Sequence, residues 1–464
     1  MIKRKSIWMC SLMVLLGFVY IFFKLVESSK FGSFDILALE QLEELTDRKT
    51  YVEKPLNIDD ILTLRGQNPA YDAKSNTFYF GHLASERDFL SHFEIKNVGC
   101  RLYIEKMDGL DDVSDLMRDG KQARLWIISE DTYSICNIIF SGVPIIKIDT
   151  DESIRSEYGM GNVVLFEPND DAVNKQNIKS AYVLAKQNMN SQTYSLRLMN
   201  KEYDDEKKID LLETGKYSDW KLYRVSESDG SLMQAKLASD LWNIVNKEKE
   251  ITRVYSFVEV IENNDYKGVY LMTPKWTKAI VELNDNDIMI QSEDVSLEQA
   301  MLLNEQMSSE CISDYALFLQ LTYAYDNIDD HCIYIRRLMP DDSMQYTIIP
   351  DKIEYALGGF DKTLGYLTWK DTSQMLLETE DFSVSQERWN KEIYPLCSAK
   401  WKALRAGNID IDTVLHIMQE YKAYLINTGV AKRCVNDDSF GYYYDKLEDY
   451  VIKRIAFLDE YYAY

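Results

Sequence analysis

Histidine, proline and glycine are scarce, at 4, 8 and 19 in a chain of 464 residues. So few turn and breaker residues leave little room for long linkers. Several chemistry-bearing signatures are missing. There is no GxxxxGKS/T and no GxGxxG, which disfavours a P-loop enzyme and a Rossmann dehydrogenase, because both cradle phosphates on a glycine-rich loop. GxSxG is absent, and four histidines without HExxH give a histidine-based metalloprotease nothing to stand on. Of the cysteines, Cys100, Cys136, Cys311, Cys332, Cys397 and Cys434 lie beyond residue 24. None has CxxC or Cys/His metal spacing, so a zinc site is not expected. They read as small buried hydrophobes; disulfides stay open, with no deducible pairing. Basic residues are outnumbered, 52 Lys and Arg against 76 Asp and Glu, for a net charge of −24. That balance argues against a protein that holds nucleic acid by neutralising phosphates, and favours neutral or cationic partners.

What is present is a core. A hydrophobic content of 46%, with 12% aromatics, excludes wholesale disorder. At roughly 150 residues per domain the length suggests two or three folded units. The N-terminus carries Lys3, Arg4 and Lys5, then an uncharged, mostly apolar run from Ile7 to Phe23 ended by Lys24. This run reaches the lower limit for a spanning helix, and no small-x-small cleavage site follows it. Residues 1–24 therefore read as an uncleaved signal anchor with its basic tip inside, which makes a single-pass protein of the cell membrane whose C-terminal part is extracytoplasmic.

Residues 25–74 look like a charged stalk with a helical stretch around Leu37 to Leu45. A small β-rich domain over residues 75–175 is expected from short runs at Arg101 to Lys106, Ala123 to Ser129, Asn137 to Phe140 and Ile145 to Ile148. Alternation at Tyr194 to Leu198 predicts a strand, and the spacing of Leu237, Leu241, Ile244 and Val245 predicts a helix. Val254 to Ile261 and Tyr266 to Met272 flank Asn263-Asn264-Asp265, a hairpin signature. Cys311 to Ala324 is helical in texture, and two strands follow at Cys332 to Leu338 and Gln345 to Ile349. Tyr444, Leu447, Val451, Ile455, Leu458 and Tyr462 repeat at steps of three and four, as in an amphipathic helix.

The densest polar cluster is Asp326, Asn327, Asp329, Asp330 and His331, between an apolar helix and an apolar strand. Catalytic groups tend to sit in such loops. Asp326 and His331 are five apart, the spacing of the base and the metal-binding residue in a protein-kinase catalytic loop; a solvated acidic turn is the other reading. The next strand runs into Asp351, Lys352, Ile353 and Glu354 ahead of Gly358-Gly359. A carboxylate there could grip a nucleotide-bound metal, and a plain strand-end turn is equally credible.

Taken in order, these pieces resemble the spore-coat CotH kinase family of bacterial surface and spore proteins. Tyr194-Ser195-Leu196-Arg197-Leu198 resembles the family's YRLKL strand. Trp220 to Tyr223 and Ser231 to Leu241 resemble its W-x-L-L and SLMRNKLAYDL segments. Phe257-Val258-Glu259-Val260 with Tyr266 to Leu271 resembles its FVEVYLNGEYQGVYLL hairpin. Glu420-Tyr421, Ala431-Lys432-Arg433 and Leu447 to Glu460 resemble its helical end.

The resemblance spans about 175–464. It implies an α+β, atypical protein-kinase-like two-lobed fold of the CotH type over residues 176–464, with a helical C-terminal part, preceded by the small β-rich domain and the N-terminal transmembrane helix. It also implies a site. Asp326 falls on the catalytic base, Arg197 on the phosphate-pairing Lys, with Lys236 assisting ATP on the first helix. Glu354, with His331 or Asp351, falls on the metal ligands, for ATP with Mn or Mg. Three positions depart from the family pattern. His331 stands where the metal-binding Asn belongs, Lys352 where the first metal-segment Asp belongs, and Pro274 where a Glu precedes Lys275. Two functions follow. One is a kinase that phosphorylates Ser of a surface or coat protein. The other is a catalytically inactive pseudokinase serving as an envelope binding or assembly scaffold.

Overall fold

Strands β7 (Arg101–Glu105) and β8 (Gln122–Ile128), with apolar residues at consecutive positions, need cover on both faces, and they have it. Leu102, Ile104, Leu125 and Ile127 join Phe78, Phe80, Ile138 and Phe140 in a large core on one side. Tyr103, Trp126 and Ile128 pack on the other side against Leu42, which is fully buried. The computed structural model that supplies these contacts describes residues 34–463 apart from short segments, the longest being 82–92, 169–177, 296–305 and 371–383.

The chain divides into two compact units, residues 1–149, 164–180 and 259–267, and residues 150–163, 181–258 and 268–464. In the first, β1 (Phe34–Leu37), α1 (Leu39–Asp47), β2 (Val52–Glu53), β4 (Ala70–Asp72), β5 (Thr77–Gly81), β7, β8 and β9 (Thr132–Ser141) build a sheet ordered β1-β7-β8-β9-β5-β4, with β2 also beside β9. A separate pair joins β3 (Leu62–Leu64) to β6 (Phe93–Ile95). The stretch expected as a stalk thus supplies β1, which runs parallel to β7 from Phe34↔Leu102 to Leu37↔Glu105, and the helix that carries Leu42.

A closed barrel then follows. Its strands are β10 (Ile145–Thr150), β11 (Gly159–Phe166), β12 (Ile178–Asn188), β13 (Thr193–Met199), β16 (Asp219–Arg224), β17 (Ser256–Glu262) and β18 (Asp265–Pro274), in the order β10-β11-β12-β13-β16-β18-β17. Two short strands, β14 (Ile209–Asp210) and β15 (Lys216–Tyr217), pair beside it, and α2 (Gln234–Val245) lies between β16 and β17 in the chain. In the second unit Val183, Ala185, Leu196, Leu198, Trp220 and Leu222 alternate onto one buried face, where Tyr194 and Tyr270 meet edge to face at 5.5 Å.

This barrel corrects the fold class. The two-lobed, kinase-like α+β fold does not form: the protein is a mixed α/β structure with a closed seven-stranded barrel and several further sheets. The reason is β10. Read from sequence as part of an upstream domain, it runs parallel to β17 from Ile145↔Glu259 to Ile148↔Glu262, and closure leaves the barrel without an open edge. The expected anchor, residues 1–24, lies outside the described residues; among those described, no helix is long and apolar enough to cross a membrane.

The rest of the second unit holds β19 (Ile288–Gln291), α3 (Ser309–Thr322), β20 (Cys332–Leu338) and β21 (Met344–Pro350), the strands in sheet order β19-β20-β21. A small pair, β22 (Phe360–Asp361) and β23 (Gly365–Tyr366), precedes α4 (Tyr394–Arg405), α5 (Ile411–Asn427), α6 (Val430–Cys434) and α7 (Asp437–Tyr461). The residues of α3 from Cys311 to Thr322 are all buried, so this stretch has no solvent-exposed face. Helix α7 buries Tyr444, Leu447, Val451, Ile455 and Leu458, and Arg405 of α4 grips its Asp459 through two hydrogen bonds of 2.8 and 3.0 Å. Cys136, Cys311, Cys332 and Cys397 are buried thiols, whereas Cys434 is exposed.

Candidate functional site

Helix α3 ends at Thr322 because Tyr323 takes a left-handed conformation, with φ 50°. The chain returns to strand at Cys332, and the last rung of the β20–β21 ladder is Cys332↔Pro350. His331 and Asp351 therefore meet just beyond it, where the Asp351 N–H donates to the His331 carbonyl at 2.8 Å. Buried Asn327 ties the two segments together. Its side-chain amide donates to the carbonyls of His331 at 2.8 Å and Lys352 at 2.9 Å, while Tyr315 of α3 donates to the Asn327 carbonyl at 2.5 Å. Of the residues assigned from sequence, His331 and Asp351 are brought together. Asp326 and Glu354 lie outside the described residues.

The Asp351 side chain points to a partner that the sequence reading missed. Buried Arg253 donates from Nη1 to Asp351 Oδ1 at 3.1 Å and from Nη2 to the Asp351 carbonyl and the Tyr255 hydroxyl. Tyr255 donates to the same carbonyl at 2.9 Å, and Tyr223, from β16, donates to Asp351 Oδ1 at 3.2 Å. Three rings surround the guanidinium carbon: Trp276 at 4.7 Å, Tyr255 at 4.9 Å and Tyr223 at 5.9 Å. Trp276 also donates to the Pro350 carbonyl at 3.3 Å. Asn243 of α2 fixes the Arg253 backbone at both its N–H and its carbonyl. Burial first, and then the charge of Asp351, push the Tyr223 hydroxyl well above its ordinary value; burial likewise pushes Tyr255 up to about 12. Burial pulls Arg253 down, but Tyr255, Tyr223 and Asp351 outweigh it and raise the guanidinium above its usual range. It is a permanent cation in a closed box. The available signal was a cation directly ahead of the strand-forming run Val254 to Ile261, since a charge drawn into the buried interior calls for a counter-charge.

Arg197 and Lys236 are held elsewhere in the second unit. Arg197 on β13 faces Asp219 across the β13–β16 ladder, with Nε 2.9 Å from Asp219 Oδ1 and 3.5 Å from Glu206. The Asp219 hydrogen bond raises its pKa. Lys236 on α2 pairs with Asp240 at 3.0 Å and lies over the ring of Tyr421, whose hydroxyl donates to the same carboxylate. Burial, followed by Asp240, raises the Tyr421 hydroxyl.

As a metal ligand Asp351 does not fit. One of its carboxylate oxygens is shared by a guanidinium and a tyrosine hydroxyl, so a divalent ion would have to displace a buried cation at hydrogen-bond distance. Lys352 beside it is buried and brings no oxygen from its side chain. Among the described residues no group of three or more His, Cys, Asp or Glu is arranged to hold a metal. Chemically, the arrangement recognises a planar cation: a carboxylate and a carbonyl as acceptors, with aromatic faces as walls. No family model matches the chain, and no curated protein matches it.

Proposed function

We propose that the chain is a binding or assembly protein of the cell envelope, anchored by its N-terminal segment and working through its outer part, with no phosphotransfer of its own. One observation carries this reading: the Asp351 carboxylate, one of the two alternatives for completing a metal site with Glu354, is committed to Arg253 and Tyr223. A chain with 76 acidic against 52 basic residues suits neutral or cationic envelope partners.

A second reading, ATP-dependent phosphorylation of Ser on a surface or coat protein with Mn or Mg, is favoured by the Asn327 bridge. That bridge ties Asn327, the residue after Asp326 in sequence, to the carbonyls of His331 and Lys352, next to Asp351. Radiolabelled ATP, Mn²⁺ and a Ser-rich surface protein, incubated with the full chain and with Asp326→Asn and Lys352→Asp, separate the two. The assembly reading expects no label transfer by the wild-type chain. Transfer that is lost in Asp326→Asn establishes an enzyme; transfer gained only in Lys352→Asp marks a kinase disabled at its metal segment.

A further inference from the structure

We propose that the place a metal ion would take at Asp351 is a guanidinium site, filled by the chain's own Arg253 and selective for a planar guanidinium over an ammonium or a divalent metal. The acceptors are the Asp351 carboxylate and carbonyl, with the Tyr255 hydroxyl beside them, at one edge of the guanidinium plane. This edge matches the fork of two N–H groups and not the single point charge of an ammonium. The walls are the rings of Trp276, Tyr255 and Tyr223, all within 6 Å of the guanidinium carbon, where cation–π attraction operates. A metal would meet here one carboxylate and one carbonyl that already accept from Arg253, Tyr223 and Tyr255.

A further detail separates a built site from a chance contact. The cage does not depend on Arg253 for its shape: Trp276 is tied to the Pro350 carbonyl, Tyr223 sits in the β16 ladder, and the Asp351 N–H is held by His331. Arg253 itself is not fully satisfied, because its buried Nε finds no hydrogen-bond partner among the described residues. A free guanidinium ion, released from its tether, can reorient to reduce that cost. Truncating Arg253 should therefore leave a preformed hole with an uncompensated carboxylate, a hole that takes the side chain's head group back from solution. The inference is independent of whether the chain transfers phosphate, since the readout is thermal.

The test uses the full chain with Arg253→Ala, Arg253→Lys and Arg253→Ala/Asp351→Asn, and compares methylguanidinium, methylammonium and Mn²⁺ at about 10 mM, a range where ligand binding shifts the folding equilibrium without denaturing. Arg253→Ala should melt at least about 4 °C below the wild type, and methylguanidinium should restore at least half of that loss. Methylammonium and Mn²⁺ should not, and Arg253→Lys should stay low. The double variant should not respond, because the carboxylate is gone. Should Arg253→Ala fail to fold alone, its refolding yield from urea replaces the melting point, with the same order of ions expected. Equal effects of the three ions, rescue that survives Asp351→Asn, or rescue by Mn²⁺ alone would overturn the proposal.

Discussion

Arg253 and Asp351, 98 positions apart in sequence, form a buried ion pair in which Nη1 lies 3.1 Å from Oδ1 and the side-chain exposures are 4% and 18%. Burying such a pair is costly, and leaving either half alone is costlier. Asp351→Asn is expected to destabilise by about 3–5 kcal/mol, with Arg253→Met similar, and the double variant should cost less than their sum. Urea unfolding of the four proteins measures the coupling; strict additivity would mean that the pair does not exist.

Asp229 gives a pH dependence with an unusual sign. It caps α2 through the Gln234 N–H at 2.9 Å and accepts from Ser231, yet burial outweighs these bonds and raises its pKa from 3.8 to about 6. Between pH 4 and 6 the folded state then holds more protons than the unfolded one. This contribution is fully present below about pH 4 and lost as pH climbs through 6, a change of about 3 kcal/mol. Compared with Asp229→Asn, the wild type should lose stability as pH rises from 4 to 7. A constant difference across that range would refute the shift.

Gly230 has no room for a side chain: a Cβ there would clash with the ring of Tyr443 on α7. Gly230→Ala should cost about 1–3 kcal/mol by overpacking. Adding Tyr443→Ala should return part of that loss, which a melting series of the three variants can check.

Leu42 tests whether residues 34–47 belong to the folded body. It is the only buried side chain of α1 and closes the cluster of Tyr103, Trp126 and Ile128. Leu42→Ala should cost about 2–5 kcal/mol; a neutral effect would mean that α1 is an appendage.

Much of the local structure was legible in the residues. The β-rich runs at Arg101, Ala123 and Ile145 became β7, β8 and β10 nearly in place, whereas the run at Asn137 to Phe140 is only the end of a longer β9, which takes in the expected turn residues Thr132 and Ser141. Asn263 and Asn264 both take positive φ, 48° and 61°, as a two-residue hairpin turn demands of its centre. The α7 stripe from Tyr444 to Leu458 is buried as its spacing required. The barrel was not legible, because its closing pair joins Ile145 to Glu259, and no local period encodes a contact between strands so far apart in the chain. Nor was Arg253: helical or strand periodicity marks which face is buried, not which buried carboxylate a single cation will meet.

The central claim is that Asp351 serves an internal cation and not a nucleotide-bound metal. A melting titration of the full chain with Mn²⁺ and ATP together, on the wild type and on Asp351→Asn, tests it most directly. The account predicts no rise in the melting midpoint of either protein at saturating ligand. A rise of several degrees, about what ligand at 100 times its dissociation constant would give, that is present in the wild type and lost in Asp351→Asn would contradict it.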